Sequence, residues 1–260
     1  MVDLGLNGKY VVVTGGTHGI GKSIALDLAD EGCNVAVFSR TQERVDEMKL
    51  CLKNKNVDYI CEQVDVFEED KVKMIMEMID KKWGRVDILI NNVGGGGRWG
   101  SEIIEDTPDN VWNEVYYKNS VTAFKFIKWV IPYIRKNKWG RVISISSVYG
   151  KEAGGRPWFN MAKASQISLI KTLSKINYLV KDGITFNTIA PGPIFIQDTG
   201  WDKKDPDKKE QCDKIENEIP LGRMGTSEEI SFVAKFMCSP LNSFMNGSCI
   251  VLDGGFSHSF

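Results

Sequence analysis

The chain alternates short apolar runs with amphipathic stretches from one end to the other. The apolar runs, rich in β-branched residues, predict strands at Tyr10–Thr14, Asn34–Ser39, Tyr59–Val64, Val86–Ile90, Arg141–Ser146, Thr185–Ile189 and Cys249–Leu252. The amphipathic stretches predict helices that begin near Ile20, Gln42, Glu68, Asp109, Pro157 and Ser227. Buried parallel strands are apolar on both faces, and strict alternation implies right-handed βαβ crossovers. The pattern therefore predicts an α/β fold.

We expect one Rossmann-like domain over residues 1–260, a doubly wound parallel sheet of about seven strands with helices on both faces. Neither a linker rich in Pro, Gly and Ser nor an internal repeat divides the chain. Two loops follow strands: Gly94–Gly100, which carries five glycines, and the long polar segment Pro191–Asn217. Ligands of such sheets bind at the carboxyl ends of the strands. Both loops are therefore predicted to line a site, the second as a partly ordered lid.

Composition and charge narrow the classes of function. Hydrophobic residues make up 42% and charged residues 26% of the chain, and the net charge of -1 favours neither nucleic acid nor an anionic membrane as a partner. No apolar run approaches the ~20 residues that span a bilayer, and the N-terminus lacks a signal-peptide pattern. The scattered cysteines and two distant histidines disfavour a disulfide framework, a metal site and a Ser-His-Asp hydrolase. We expect reduced thiols and a cytoplasmic protein.

A glycine-rich turn joins the first predicted strand to the first helix. It runs Thr14-Gly15-Gly16-Thr17-His18-Gly19-Ile20-Gly21, with the spacing G-x-x-x-G-x-G. Glycines let the backbone approach a pyrophosphate, and the free N–H groups at a helix N-terminus attract phosphates. A purely structural turn is the alternative. We predict dinucleotide binding by Gly15, Thr17, His18, Gly19, Ile20 and Gly21.

The end of the second predicted strand bears on the choice between NAD and NADP. NAD-binding Rossmann sites place a carboxylate there to accept hydrogen bonds from the ribose 2′-hydroxyl, whereas this chain has Ser39-Arg40 and no carboxylate before Glu43. A guanidinium pairs with a 2′-phosphate, which a carboxylate would repel. We therefore predict that Ser39 and Arg40 favour NADP(H) over NAD(H). An ordinary exposed arginine is the alternative.

Several motifs together resemble those of the short-chain dehydrogenase/reductase family. They are TGGTHGIG in the first turn, Asp65-Val66, Asn91-Asn92-Val93-Gly94, Ser-Ile-Ser-Ser-Val-Tyr-Gly ending at Gly150, Pro191-Gly192-Pro193-Ile194 and the ending Leu252-Asp253-Gly254-Gly255. The resemblance covers essentially the whole chain and extends to 3-oxoacyl-carrier-protein reductases.

The resemblance implies cofactor contacts beyond the glycine-rich turn. They are Asp65 and Val66 at the adenine, Asn92, Val93 and Gly94 along the cofactor, and Pro191, Gly192 and Ile194 at the nicotinamide. His18 occupies a position that is often basic in members that prefer NADP. Ile196 stands where members often carry Thr, so the hydroxyl contact to the carboxamide is absent from that position.

The resemblance also implies a catalytic set. Ser147 matches the serine that binds the carbonyl oxygen, Lys163 matches the lysine that contacts the nicotinamide ribose, and Asn119 matches the asparagine that anchors a water-linked proton relay. The position of the acid/base tyrosine, four residues before Lys163, holds Phe159, which has no proton to give. The i, i+4 spacing keeps that ring on the same helix face as the lysine. Without the resemblance, core packing would be the default interpretation of this pair.

Taken with its motifs, the chain is expected to be an NADP(H)-dependent oxidoreductase acting on a carbonyl or hydroxyl group of a small molecule, with low or altered catalysis because of Phe159. Four interpretations of Phe159 stay open. They are an active reductase with another donor, such as Tyr149 or ordered water; a silent cofactor-binding homologue acting as a partner or sensor subunit; a reaction that needs no tyrosine; and an engineered substitution. Apolar faces on Asp109–Lys136 and Pro157–Lys181, which pack between subunits in the family, predict a homodimer or homotetramer.

Overall fold

The computed structural model describes residues 3–199 and 206–259, and it places the strands of that part of the chain in one parallel sheet. The strands are β1 (Tyr10–Thr14), β2 (Asn34–Ser39), β3 (Tyr59–Gln63), β4 (Ile88–Asn91), β5 (Gly140–Ile145), β6 (Ile184–Pro191) and β7 (Cys249–Leu252). Their order in the sheet is β3-β2-β1-β4-β5-β6-β7. The strand order reverses between β1 and β4, as a doubly wound sheet requires, and the predicted fold class is confirmed.

Helices cover both faces of the sheet. They are α1 (Gly19–Asp30), α2 (Gln42–Lys53), α3 (Glu69–Trp83), α4 (Asp109–Tyr116), α5 (Thr122–Lys136), α6 (Pro157–Leu173), α7 (Asn177–Val180), α8 (Pro206–Glu218) and α9 (Ser227–Cys238). Side chains of β1 alternate between the two cores: Val11 and Val13 pack with α1, α2 and α9, and Val12 packs with α3, α5 and α6. This alternation follows from the two-residue period of a strand and explains why the run is apolar throughout.

The segment Pro191–Asn217, which the sequence predicted to be a polar loop, contains helix α8. Residues 200–205 of that segment lie outside the described ranges. Most residues of α8 are charged or polar by sequence, and its apolar residues Cys212 and Ile215 pack in one cluster with Ile219, which follows the helix, and with Phe256. Too few apolar residues recur at helical spacing in this charged segment for the sequence to predict a helix.

Two long predicted helices are also divided. A π-helical turn, Tyr117–Val121, separates α4 from α5. The stretch that starts at Pro157 ends its first helix at Leu173, where Asn246 Nδ2 donates a hydrogen bond to the Ser174 carbonyl at 2.9 Å. Asn246 is distant in sequence, so this end is fixed by a tertiary contact.

The topology positions a site at one edge of the sheet. The carboxyl ends of β1 and β4 separate at the switch point, and the N-terminus of α1 faces the crevice between them. Across the described part of the chain, no helix is both long enough and apolar enough to cross a membrane.

Candidate active site

A cavity of about 990 Å³ lies at the carboxyl ends of the central strands. Ligand-binding clefts are typically ~300–1,000 Å³, so this one is at the large end. Its wall contains 18 of the 20 predicted site residues: Gly15, Thr17, His18, Gly19, Ile20, Ser39, Arg40, Asp65, Val66, Asn92, Val93, Gly94, Ser147, Phe159, Lys163, Pro191, Gly192 and Ile194. The two that do not line the wall are Gly21 and Asn119.

Gly21 contributes to packing of the turn rather than to the cavity wall. A Cβ atom at this position would lie 2.3 Å from Asn92 Nδ2 and 2.5 Å from the Gly15 carbonyl oxygen. The same Asn92 amide donates hydrogen bonds to the carbonyls of Thr14 and Gly15, at 3.0 and 3.1 Å. Glycine is therefore required here because the strand-to-helix turn and the loop after β4 are in direct contact.

The turn before α1 offers unoccupied donors to an anion. His18 is the N-cap residue of α1, and its side chain makes no capping hydrogen bond. Gly15 and Gly19 have φ of 65° and 52°, a left-handed backbone that L side chains rarely adopt. The first N–H groups of a helix lack intrahelical partners, and here no side chain caps them. The arrangement suits a phosphate.

The end of the cavity at β2 is cationic. Ser39 accepts a hydrogen bond from the Thr17 hydroxyl at 2.7 Å, and Arg40 and Arg44 line the wall beside it. Burial, followed by the charge of Arg44, lowers the pKa of His18 below its usual value of 6.5. His18 is therefore neutral at pH 7 and can donate a hydrogen bond, whereas the guanidinium groups carry the positive charge.

Lys163 lies at the centre of the cavity wall and is 4% exposed. Its Nζ donates hydrogen bonds to the Ile145 carbonyl at 3.0 Å and to Gln166 Oε1 at 3.1 Å, and it lies 5.6 Å from the centre of the Phe159 ring. Burial, followed by the positive charge of Lys118, lowers the pKa of Lys163 to about 7. Near neutral pH the group can therefore both hold and release a proton.

Asn119 is fully buried within the π-helical turn, behind Lys163. Its side-chain Nδ2 donates to the carbonyls of Gly95 and Val115 at 2.9 and 2.8 Å, and its Oδ1 accepts from Gly95 N–H at 3.2 Å. The side chain thus fixes the glycine-rich loop after β4, and its backbone carbonyl accepts a bond from Gln166 Nε2 at 2.9 Å. π-Helical turns often occur at functional sites.

The substrate end of the cavity combines hydroxyl groups with aromatic rings. Ser147 lines the cavity, and its Oγ accepts a hydrogen bond from the Tyr149 N–H at 3.2 Å, so its hydroxyl can still act as a donor. The Phe159 ring lies against the backbone of Gly97, and the Tyr149 ring packs edge-on against Phe256 with centres 6.3 Å apart. Burial raises the pKa of Tyr149, so its phenol keeps its proton.

Comparison with known proteins places this site in a family. A family model described as enoyl-(acyl carrier protein) reductase matches residues 15–257. A probable 2,4-dienoyl-CoA reductase of Bacillus subtilis is 34% identical over 249 residues, which cover 95% of this chain and 96% of the relative. The chain belongs to the short-chain dehydrogenase/reductase family.

Two further members illustrate the range of short-chain dehydrogenases/reductases. The 3-oxoacyl-acyl-carrier-protein reductase FabG of Staphylococcus aureus is 32% identical over 249 residues, covering 95% of this chain and 97% of the relative. The crystal structure of L-sorbose reductase from Gluconobacter frateurii, in complex with NADPH and L-sorbose, has a TM-score of 0.90 and 29% identity and covers 100% of both chains. The relatives are reductases, and this chain is similar to them over nearly its full length.

Among the residues of this short-chain dehydrogenase/reductase site that the sequence interpretation missed, three bear on its charge. Arg44 and Lys118 line the cavity, and Gln166 contacts Lys163 from behind. Arg44 follows Arg40 by four residues, a spacing that could have indicated it. The sequence did not indicate Lys118 or Gln166. Lys118 reaches the wall because of the π-helical turn, which the sequence did not predict. Gln166 is one of several polar residues on α6, and its spacing does not distinguish it from the others.

Neither a metal-binding group nor, at Cys33 and Cys61, a reactive thiol is found in the described ranges. No group of three or more His, Cys, Asp or Glu side chains there is arranged to hold a metal ion. The six cysteines all lie in the described ranges and are free thiols. Burial raises the pKa of Cys33 and of Cys61 to about 12, so these two are unreactive packing residues.

Proposed function

We propose that the protein is an NADP(H)-dependent oxidoreductase that acts on a carbonyl or hydroxyl group of a small molecule. The observation that carries this proposal is a single continuous cavity that extends from the uncapped N-terminus of α1 and Arg40 to Ser147 and Lys163. One end suits phosphate groups and the other suits a polar reacting group. The NADPH in the sorbose reductase crystal and the reductase names of the relatives support the same function.

The cavity wall fits the parts of a dinucleotide. The pyrophosphate would lie against the turn Gly15–Ile20, the adenine against Asp65 and Val66, the nicotinamide ribose against Lys163, and the nicotinamide against Pro191–Ile194. When bound, the cofactor supplies or accepts the hydride. The protein supplies orientation, exclusion of water and control of the proton.

The cationic end of the cavity supports a preference for NADP(H). Arg40 stands where a carboxylate would favour NAD, and Arg44 lies beside it in the wall. A charge-assisted hydrogen bond to a 2′-phosphate contributes ~1.5–3 kcal/mol, which corresponds to a roughly 10- to 100-fold difference in affinity.

The test is a fluorescence titration of the protein with NADPH and with NADH. R40A should weaken NADPH binding roughly 10- to 100-fold and leave NADH binding nearly unchanged. K73A is the charge control, because Lys73 is 77% exposed on α3 and lies outside the cavity wall. Equal affinity of the native protein for the two cofactors would overturn the preference. Absence of binding to either would overturn the proposed function.

The proton chemistry sets the expected rate. In reduction, the Ser147 hydroxyl can donate a hydrogen bond to a substrate oxygen, and Lys163 can hold a proton nearby because its pKa is about 7. Phe159 has no hydroxyl group and therefore cannot act as the general acid. A positioned general acid contributes ~10²–10⁴ in rate, so we propose that turnover is slow or follows an altered route.

A catalytically silent, cofactor-binding partner or sensor subunit is the second candidate. Phe159 is the observation in favour of this candidate. It removes the usual proton donor, whereas the residues that would bind the cofactor remain in the cavity wall. Nicotinamide absorbance on mixing with a panel of ketones, sugars and acyl thioesters distinguishes the two. Tight NADPH binding without any turnover would favour the silent homologue.

We also propose that the chain forms a homodimer or homotetramer and works in the cytoplasm with its thiols reduced. Large apolar side chains are exposed on α5, α6 and α9: Phe124 is 49%, Met161 44%, Phe232 68% and Phe236 45% exposed. Contiguous patches of such side chains mark surfaces that pack against another chain. Light scattering should give at least a dimer at micromolar concentration, and a monomer there would contradict the assembly.

A further inference from the structure

A buried chain of hydrogen bonds runs behind the active-site wall. Lys163 Nζ donates to Gln166 Oε1 at 3.1 Å, and Gln166 Nε2 donates to the Asn119 carbonyl at 2.9 Å. Lys163 Nζ also donates to the Ile145 carbonyl at 3.0 Å. Gln166 is 1% exposed, so its amide makes these contacts away from bulk water.

The chemistry of the partners fixes the orientation of the Gln166 amide. In its charged form the lysine has three N–H donors and no acceptor, so only the amide oxygen of Gln166 can face the protonated Lys163. A backbone carbonyl is an acceptor only, so the amide nitrogen must face Asn119. The reversed orientation would leave two buried clashes between like groups. Gln166 can therefore adopt one arrangement, and that arrangement holds the lysine.

The bridge connects three parts of the site wall. Lys163 and Gln166 lie three residues apart on one face of α6, and Ile145 ends β5. Asn119 lies in the π-helical turn, and its side chain also holds Gly95 in the loop after β4. Movement of any one element would break the hydrogen bonds that keep the lysine in place.

We propose that Gln166 is a positioning residue that fixes the Lys163 ammonium group against the cofactor cavity by bridging it to the Asn119 carbonyl. Two of the three N–H bonds of the ammonium group are used by Gln166 and Ile145. The third remains for the cavity, which Lys163 lines. The part of this role that concerns the cofactor rests on the proposed function, whereas the effect on the lysine itself does not.

The charge state of Lys163 reflects a balance in which Gln166 takes part. Burial and the charge of Lys118 from the π-helical turn lower its pKa, whereas the carbonyl acceptors of Gln166 and Ile145 and the Phe159 ring favour the charged form. Tyr149, Asp65 and Glu218 are acidic groups that also line the cavity. Burial and then the charge of Arg40 lower the pKa of Lys118, and the Asp65 carboxylate only opposes this, so Asp65 acts on Lys163 indirectly.

Two substitutions at the same position should move the pKa of Lys163 in opposite directions. Q166M keeps the length of the side chain but removes the acceptor, so the pKa should fall by about 1 unit. Q166E places a carboxylate beside the ammonium group, so the pKa should rise by about 1 unit or more. A general loosening of the structure would move both in one direction.

The pKa can be measured without cofactor, by titration of protein carrying ¹³C-labelled lysine, with K163M to assign the signal. S165A is the control: the Ser165 hydroxyl, one residue before Gln166, donates to the Ala162 carbonyl at 2.8 Å and lies 2.6 Å from the Ser120 hydroxyl. It makes no hydrogen bond to Lys163 or Gln166, so its removal should leave the Lys163 signal unchanged. Shifts of the same sign in Q166M and Q166E, or no shift in either, would overturn the proposal. Q166E retains the size of the native residue and the oxygen that faces Lys163, and it loses only the donor to the Asn119 carbonyl, so it remains informative if Q166M does not fold.

The second readout is the pH dependence of NADPH affinity. The midpoint at which affinity falls with rising pH should move down in Q166M and up in Q166E, in parallel with the pKa. If the pKa values shift as expected but neither the native protein nor the variants bind NADPH, the positioning role of Gln166 is supported and the proposed function is refuted. If NADPH binds with an unchanged midpoint in both variants, the role of Gln166 at the cofactor is refuted.

Discussion

Replacement of Phe159 by Tyr adds one oxygen to a ring that lines the active-site cavity. The ring centre lies 5.6 Å from Lys163 Nζ. At that separation, opposite unit charges attract by about 3 kcal/mol when the effective dielectric constant is about 20. One pKa unit corresponds to ~1.4 kcal/mol, so a fully charged Lys163 would lower the pKa of the new phenol from ~10 to about 8.

Lys163 itself has a pKa of about 7, so it carries its full charge only below neutrality. The phenol and the amine would therefore titrate as a coupled pair. A phenol of pKa about 8 is protonated at pH 7 and able to give its proton to a developing alkoxide. We expect F159Y to raise kcat for carbonyl reduction by ~10²–10⁴. NADPH affinity should remain nearly the same, because the ring position is unchanged.

The assay follows nicotinamide absorbance for the native protein and F159Y on one panel of carbonyl substrates, with NADPH affinity measured separately. F256Y is the matched control, since Phe256 also lines the cavity but packs against Tyr149 rather than beside Lys163. An F159Y protein that binds NADPH normally and turns over no faster would refute the reasoning. If the native protein is already fast, loss of activity in Y149F would identify Tyr149 as the donor.

Two further predictions concern charge. Burial and, after it, the like charge of Lys118 lower the pKa of Lys163. K118M removes that charge, so the pKa should rise above about 7, and the pH midpoint of NADPH binding should rise with it. A midpoint that stays fixed would show that Lys163 does not govern binding. Glu229 pairs with Arg223 and completes a capping box with Thr226 at the start of α9, and these contacts, led by the Arg223 hydrogen bond, lower the pKa of Glu229 to about 2. Because the folded pKa is depressed, this stabilisation is complete above about pH 4.5 and is lost as pH falls toward about 2. E229Q should lose about 1 kcal/mol of stability at pH 7 in urea unfolding, a modest value because the pair is exposed to solvent, and it should show a flatter acid dependence than the native protein.

The alternation of apolar runs and amphipathic stretches was sufficient to predict the fold class. Strands buried on both faces must be apolar throughout, and β1, β2 and β7 were predicted with the bounds that the structure has. The glycine-rich turn before α1 could also be predicted, because left-handed backbone and close packing restrict those positions to glycine. These are local requirements, and the sequence carries them in the residues concerned.

Other features depend on contacts between distant segments. Helix α8 was hidden because its short apolar edge is stabilised by packing against Phe256, which is far along the chain. The divided helix after Pro157 ends where Asn246 contacts Ser174, a contact that no local pattern encodes. Tertiary packing thus decided which polar stretches became helical and where they stopped.

The amino-acid sequence by itself determined the α/β fold, the family motifs and 18 residues of the cavity wall, since each of these follows from side-chain type and spacing. The tertiary structure decided how the wall works. The π-helical turn brings Lys118 to the cavity, and burial with that charge lowers the pKa of Lys163 to about 7. The bridge through Gln166 joins residues 47 positions apart in the chain. Electrostatic interaction and desolvation depend on distances in the folded molecule, and for that reason they could not be read from the order of the residues.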